Sequence, residues 1–135
     1  MSKVKLYDTT LRDGAQGEGI SYSVMDKIRI AQELDNLGIH YIEGGWPGSN
    51  PKDMEFYLKM GKMRLKNSQL VAFGSTRKAH SQAKSDNNLK AILKSQAKIV
   101  TIFGKTWDLH IKEVLKTTPE ENLNMIKDTI EFLVS

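Results

Sequence analysis

Cysteine is absent from the 135 residues, which excludes disulfides and thiolate metal sites. No apolar run approaches the roughly 20 residues that cross a bilayer. The opening "MSKVKLYD" runs straight into a strand pattern without a secretory apolar region. These two absences make a cytoplasmic protein without a membrane partner the expectation. Basic residues do not cluster with interleaved aromatics. The net charge of +4 therefore suits an anionic small molecule, and no nucleic-acid partner is expected. His40, His80 and His110 lie far apart, and neither H-x-H nor H-E-x-x-H occurs. Each histidine reads as a surface or packing residue. The glycines at 14, 17 and 19 match neither G-x-G-x-x-G nor the P-loop form.

What is present has a rhythm. "KVKLYD" sets Val4 and Leu6 against Lys5 and Tyr7, as in a short strand. Ser23 is a good N-cap for "VMDKIRIAQELDNLG", where Val24, Ile28, Ala31, Leu34 and Leu37 have helical spacing and Gly38 supplies the stop. "IHYIEGG" reads as a second strand, "WPGSNPKD" as a loop and "MEFYLKMGKMRL" as a helix. "SQLVAFGS" and "SDNNLKAILKS" repeat the pair, with Ser85 or Asp86 as cap. "AKIVTIFGK" is a fourth strand, followed by helical "TWDLHIKEVLK" and "TPEENLNMIKDTIEFLVS". In the last, Thr118 and Glu121 form a capping-box pattern around Pro119. Trp107 is expected to pack the start of the preceding helix.

This alternation predicts an α/β fold with parallel strands and right-handed crossovers. An open doubly wound sheet and part of a (β/α)8 barrel both fit. A full barrel needs about 250 residues, roughly twice this length. Chemistry in either fold collects at the carboxyl ends of the strands. Those ends would carry Asp8, Arg12, Asp13 and Gln16, then Glu43 and Trp46, then Ser75, Thr76 and Arg77, then Lys105. An arginine there can clamp a carboxylate through two parallel hydrogen bonds, and a neighbouring carboxylate can hold a hard divalent cation. A small 2-oxo acid suits that pair. The plainer alternative is a local Arg12–Asp13 ion pair.

"DTTLRDGAQ" resembles the opening signature of the metal-dependent Claisen-condensing enzymes that join acetyl-CoA to a 2-oxo acid: the isopropylmalate, homocitrate and citramalate synthases. "YIEGGWPGSNPKD", "FGSTRKA", "VTIFGKTWDLH" and "TTPEENLNMI" extend the resemblance and look most like the citramalate synthase branch. The resemblance implies the first four βα units of a TIM barrel, with residues 1–135 as the N-terminal half of its catalytic domain. It implies catalytic roles for Arg12, Gln16 and Glu43, 2-oxo acid binding by Arg12 and Ser75, and metal binding by Asp13. The implied cofactor is a divalent metal, Mg or Mn, with acetyl-CoA as co-substrate. The implied reaction joins acetyl-CoA and pyruvate to give citramalate and CoA, feeding branched-chain amino-acid synthesis. A fragment of an isopropylmalate or homocitrate synthase, or a non-catalytic half-barrel module, is the alternative.

The family's late H-x-H pair, the later strands and any C-terminal domain have no counterpart in this sequence. The isolated chain is therefore expected to be inactive. Open sheet edges and a bare inner face predict a homo-oligomer.

Overall fold

The structure is a computed structural model and describes residues 3–135; Met1 and Ser2 of the expected domain lie outside the described residues. Four strands, β1 (Tyr7–Asp8), β2 (Tyr41–Gly45), β3 (Gln69–Ser75) and β4 (Ile99–Phe103), form one parallel sheet. Their spatial order is β1-β2-β3-β4, the order of the chain. A doubly wound sheet reverses its strand order at a switch point. This sheet never does, so its strands are successive staves of a (β/α)8 barrel, half of one circumference.

Curvature points the same way. In a flat sheet, three spacings of about 4.8 Å, roughly 14 Å in all, would separate β1 from β4. Here the hydroxyls of Tyr7 on β1 and Thr101 on β4 lie 2.6 Å apart. The sheet curls toward the face that carries both.

Helices α1 (Val24–Leu37), α2 (Pro51–Met60), α3 (Asn87–Lys94), α4 (Asp108–Glu113) and α5 (Pro119–Val134) complete the chain. Each start has a local cause. Ser23 and Asp26 cap α1 reciprocally, and Gly38 ends it at φ 86°, a backbone only glycine adopts without strain. Asn50 accepts from the Lys52 amide and Pro51 occupies the first turn, so α2 begins inside the stretch read as loop. Of the two candidate caps for α3, Asp86 is the one used. Thr118 caps α5, but the Glu121 carboxylate does not close the box; it accepts from Arg77 Nη1 at 2.8 Å instead.

The core lies between the helices and the outer face of the sheet. Leu11, Ile28, Ala31, Ile42, Phe56 and Leu89 are all nearly or fully buried there. Tyr57 joins them, its hydroxyl donating to the Val71 carbonyl at 2.6 Å. Burial pushes its phenol well above the ordinary value, and the nearby charges of Asp53 and Glu43 push the same way.

One local expectation fails: α4 stops at Glu113, before the left-handed backbone of Lys116 at φ 52°. Trp107 packs the start of α4 as expected, its ring edge-on to His110 in the first turn, while 60% of it stays exposed. No described helix is long and apolar enough to cross a membrane.

Candidate active site

The loop after β1 folds back tightly. The amides of Arg12, Asp13 and Gly14 all donate to the Thr9 carbonyl. Asp8, a candidate from the strand end, is used locally, accepting from the amide and hydroxyl of Thr10. This turn aims Arg12 across the mouth of the half-barrel toward β2.

There Arg12 Nε donates to Glu43 Oε1 at 2.5 Å, and Nη1 donates to Asp13 Oδ1 at 2.9 Å. The ion pair with Asp13 is therefore real, but it is only one side of a larger constellation. The guanidinium carbon sits 4.2 Å from the centre of the Phe73 ring, a cation–π contact from β3. Trp46 meets the other side of that wall, its ring edge-on to Phe73 at 5.4 Å. Arg12 is thus fixed at Nε, at Nη1 and on one face. Its Nη2 bonds to none of the described residues, and the side chain keeps 22% of its surface in solvent.

Glu43 is 1% exposed. A buried carboxylate needs its lone pairs filled, and two side chains fill them: Arg12 at Oε1 and the Tyr7 hydroxyl at Oε2, 2.5 Å away. The β2–β3 register slips between Glu43 and Gly45, a bulge that re-aims the end of β2 at this point. Gly45 itself has φ 147°, and a Cβ there would run into the Asp53 carboxylate. Asp53 is held by Lys27 of α1 and accepts from the Trp46 amide at 2.8 Å. Trp46 Nε1 donates to Asn88 of α3, whose amide nitrogen donates to the Ser75 carbonyl at 2.9 Å. The wall of the site is in this way tied to three helices.

Of the residues expected at the site, Arg12, Asp13 and Glu43 come together. Ser75 lies at the end of β3, half-buried, with its hydroxyl donating to the Thr76 carbonyl at 3.2 Å. Gln16 sits in a 3-10 turn, Gly14–Gln16, exposed and without a side-chain bond to the described residues. Arg77 turns away altogether and binds Glu121 and Asp128 of α5. The strand reading missed Tyr7, Phe73 and Thr101. Phe73 stands two residues before Ser75, and Thr101 two before Phe103, so period-2 spacing places each on the inner face. Burial pushes the Tyr7 phenol up to about 12, assisted by its bond to Glu43, so it remains a proton donor through the neutral range.

For a metal, Asp13 is the available donor. Its side chain is 63% exposed, and Oδ2 bonds to none of the described residues. Among those residues no group of three or more histidine, aspartate or glutamate side chains converges. Asp13 fits one corner of a hard cation's oxygen shell, the kind that water and substrate oxygens complete. Beside the mouth lies a cavity of about 670 Å³ whose lining includes Lys78, His80, Phe103, Lys105 and Lys116. A second, of about 410 Å³, lies at the opposite ends of the strands, around Met60, Arg64 and Lys98.

A family model described as HMGL-like matches residues 3–135. The (R)-citramalate synthase of Aquifex aeolicus is 58% identical over 131 residues, which are 97% of this chain and 25% of that protein. The 2-isopropylmalate synthase of Lysinibacillus sphaericus is 34% identical over 132 residues, 98% of this chain and 25% of that protein. In three dimensions the chain is similar to the HMG-CoA lyase of Bacillus subtilis, with a TM-score of 0.70 and 20% identity over 96% of this chain and 42% of that one. The chain spans about a quarter of the length of these two synthases.

Proposed function

The chain belongs to the HMGL-like family, and from that membership we propose that it supplies the strand-end site of an acyltransferase that condenses acetyl-CoA with pyruvate to give citramalate and CoA. The observation that carries this reading is the Arg12 guanidinium, held on Glu43 and Phe73 with Nη2 left for a ligand. The relatives support the choice of branch. Those named (R)-citramalate synthase match at 50–58% identity, and those named homocitrate or 2-isopropylmalate synthase at 30–35%.

In this reading Arg12 binds the 2-oxo acid. A base removes a proton from the methyl group of acetyl-CoA, and the enolate carbon attacks C2 of pyruvate. The carbon–carbon bond forms as the ketone oxygen becomes an alkoxide. Arg12 stabilises that developing charge, as preorganised donors do in other acyl-transfer sites. Water then cleaves the thioester and releases CoA. Asp13 is the residue that would hold a divalent ion, Mg or Mn, which supplies Lewis-acid polarisation of the ketone when bound. Glu43, buried and saturated, acts by orienting Arg12. Gln16 and Ser75 line the mouth as further polar contacts. The cavity with Lys78, Lys105 and Lys116 suits the phosphates of acetyl-CoA.

Asp13 would be the one protein donor among the described residues to a shell otherwise made of water and substrate oxygens, which holds an ion weakly, so we expect no pyruvate-dependent CoA release from the chain alone. Its inner face leaves Phe103 49% exposed, and we expect self-association, read by sedimentation equilibrium; a monomer at working concentration would remove that expectation.

The test of the reaction is a competition assay on a polypeptide that carries the whole barrel. Pyruvate should give a higher kcat/KM for CoA release than 2-oxoisovalerate or 2-oxoglutarate. A branched or dicarboxylic acid in first place would overturn the assignment.

A further inference from the structure

The Tyr7 hydroxyl has one proton and two close oxygens, Glu43 Oε2 at 2.5 Å and Thr101 Oγ1 at 2.6 Å. An ionised carboxylate only accepts. Tyr7 therefore donates to Glu43, and Thr101 must donate to Tyr7. The result is a directed chain across the inside of the curled sheet: Thr101 to Tyr7, Tyr7 to Glu43, with Arg12 Nε donating to the other oxygen of Glu43.

We propose that Tyr7 is a positioning residue: its hydroxyl fixes the Glu43 carboxylate and, through it, the Arg12 guanidinium that receives the 2-oxo acid. The inference rests on the reading of Arg12 as the carboxylate clamp. Glu43 is 1% exposed, and the Tyr7 hydroxyl is one of the two donors that cover it, so removing that hydroxyl takes away the fixed donor that sets the direction of Oε2. A carboxylate missing one partner turns to find another, and its Oε1 moves with it. Arg12 has a flexible stem, and its heading across the mouth is set by that oxygen together with Asp13 at Nη1 and the Phe73 ring, of which the Glu43 oxygen is the contact Tyr7 controls. Phenylalanine at position 7 keeps the ring and removes the hydroxyl with both of its bonds, to Glu43 and to Thr101.

A pure cross-brace between β1 and β4 is the competing explanation, and Thr101 separates the two. Thr101→Val removes the brace but leaves the bond from Tyr7 to Glu43. The experiment uses the full chain labelled with nitrogen-15. It follows the Arg12 Nε–H signal, assigned by its loss in Arg12→Lys, during titration with pyruvate. Tyr7→Phe should shift that signal or lose it to solvent exchange, and weaken pyruvate binding about ten-fold, the scale of one hydrogen bond to a charged group. Thr101→Val should keep both close to wild type.

An unchanged signal in Tyr7→Phe overturns the inference, as does a Thr101→Val variant that reproduces the whole effect. If the wild-type chain binds no pyruvate, the functional reading fails, and the Arg12 signal still decides the role of Tyr7. Should Tyr7→Phe fail to fold, 3-fluorotyrosine at position 7 keeps ring and hydroxyl but makes a stronger donor. It should shift the Arg12 signal; the absence of a shift overturns the proposal.

Discussion

Two buried carboxylates sit at opposite ends of this half-barrel and are satisfied in opposite ways. Asp35, at the end of α1, is 5% exposed and accepts three backbone amides, those of Lys66, Asn67 and Ser68, at 2.7–2.8 Å. Glu43, at the end of β2, is 1% exposed and accepts from two side chains, Tyr7 and Arg12. Backbone donors have no second position to take, so Asp35 staples the turn that feeds β3. Side-chain donors can be redirected, and one of those on Glu43 reaches the open mouth. Burial of a charge serves structure in the first case and, on the proposed reading of Arg12, orientation of a binding group in the second.

Arg12 is where the two carboxylates should differ most. Arg12→Lys keeps the charge but loses the planar fork that spans Glu43 and the mouth. In a polypeptide carrying the whole barrel it should lower kcat/KM by about 2–4 kcal/mol of transition-state stabilisation, with little change in melting temperature. Near-normal kcat/KM would make Arg12 a structural ion-pair partner only.

Asp35→Ala should do the reverse. It strands buried amides and should cost about 1–3 kcal/mol of stability, read by urea unfolding, while the folded fraction binds pyruvate as before. A smaller effect sharpens the contrast by pH. Burial pushes the Asp35 carboxyl up, but the three amides outweigh it and hold the carboxyl below its ordinary 3.8. The stability this provides is complete above the unfolded value and is lost as pH falls through the lowered folded one. Asp35→Asn should therefore flatten the stability curve below about pH 3.8; an unaltered acid limb would show that other carboxylates set it.

How far the sequence reveals this arrangement depends on the range of the forces involved. The helix starts at Ser23, Asp86 and Thr118 are local capping chemistry and are legible in a few residues. The strand ends could be located, and Arg12, Asp13 and Glu43 could be named from the resemblance. Partnerships between distant residues could not. Tyr7 pairs with residues 36 and 94 positions away, and strand alternation set it on the face opposite Val4 and Leu6 without indicating that this face is the barrel interior. Glu121 had the right spacing to close a capping box, yet Arg77, 44 residues earlier, took its carboxylate. For the same reason Arg77, a strand-end arginine by position, is absent from the mouth. A charged tertiary partner outcompetes a local neutral donor, and no window of sequence shows which partner will arrive.

The contrast between the two carboxylates reduces to one measurement: pyruvate affinity by calorimetric titration of the wild-type chain, Arg12→Lys and Asp35→Ala, each corrected for its folded fraction. Binding should weaken or vanish in Arg12→Lys and stay at wild-type affinity in Asp35→Ala. Equal affinity in wild type and Arg12→Lys, or an equal loss in both variants, would contradict that contrast.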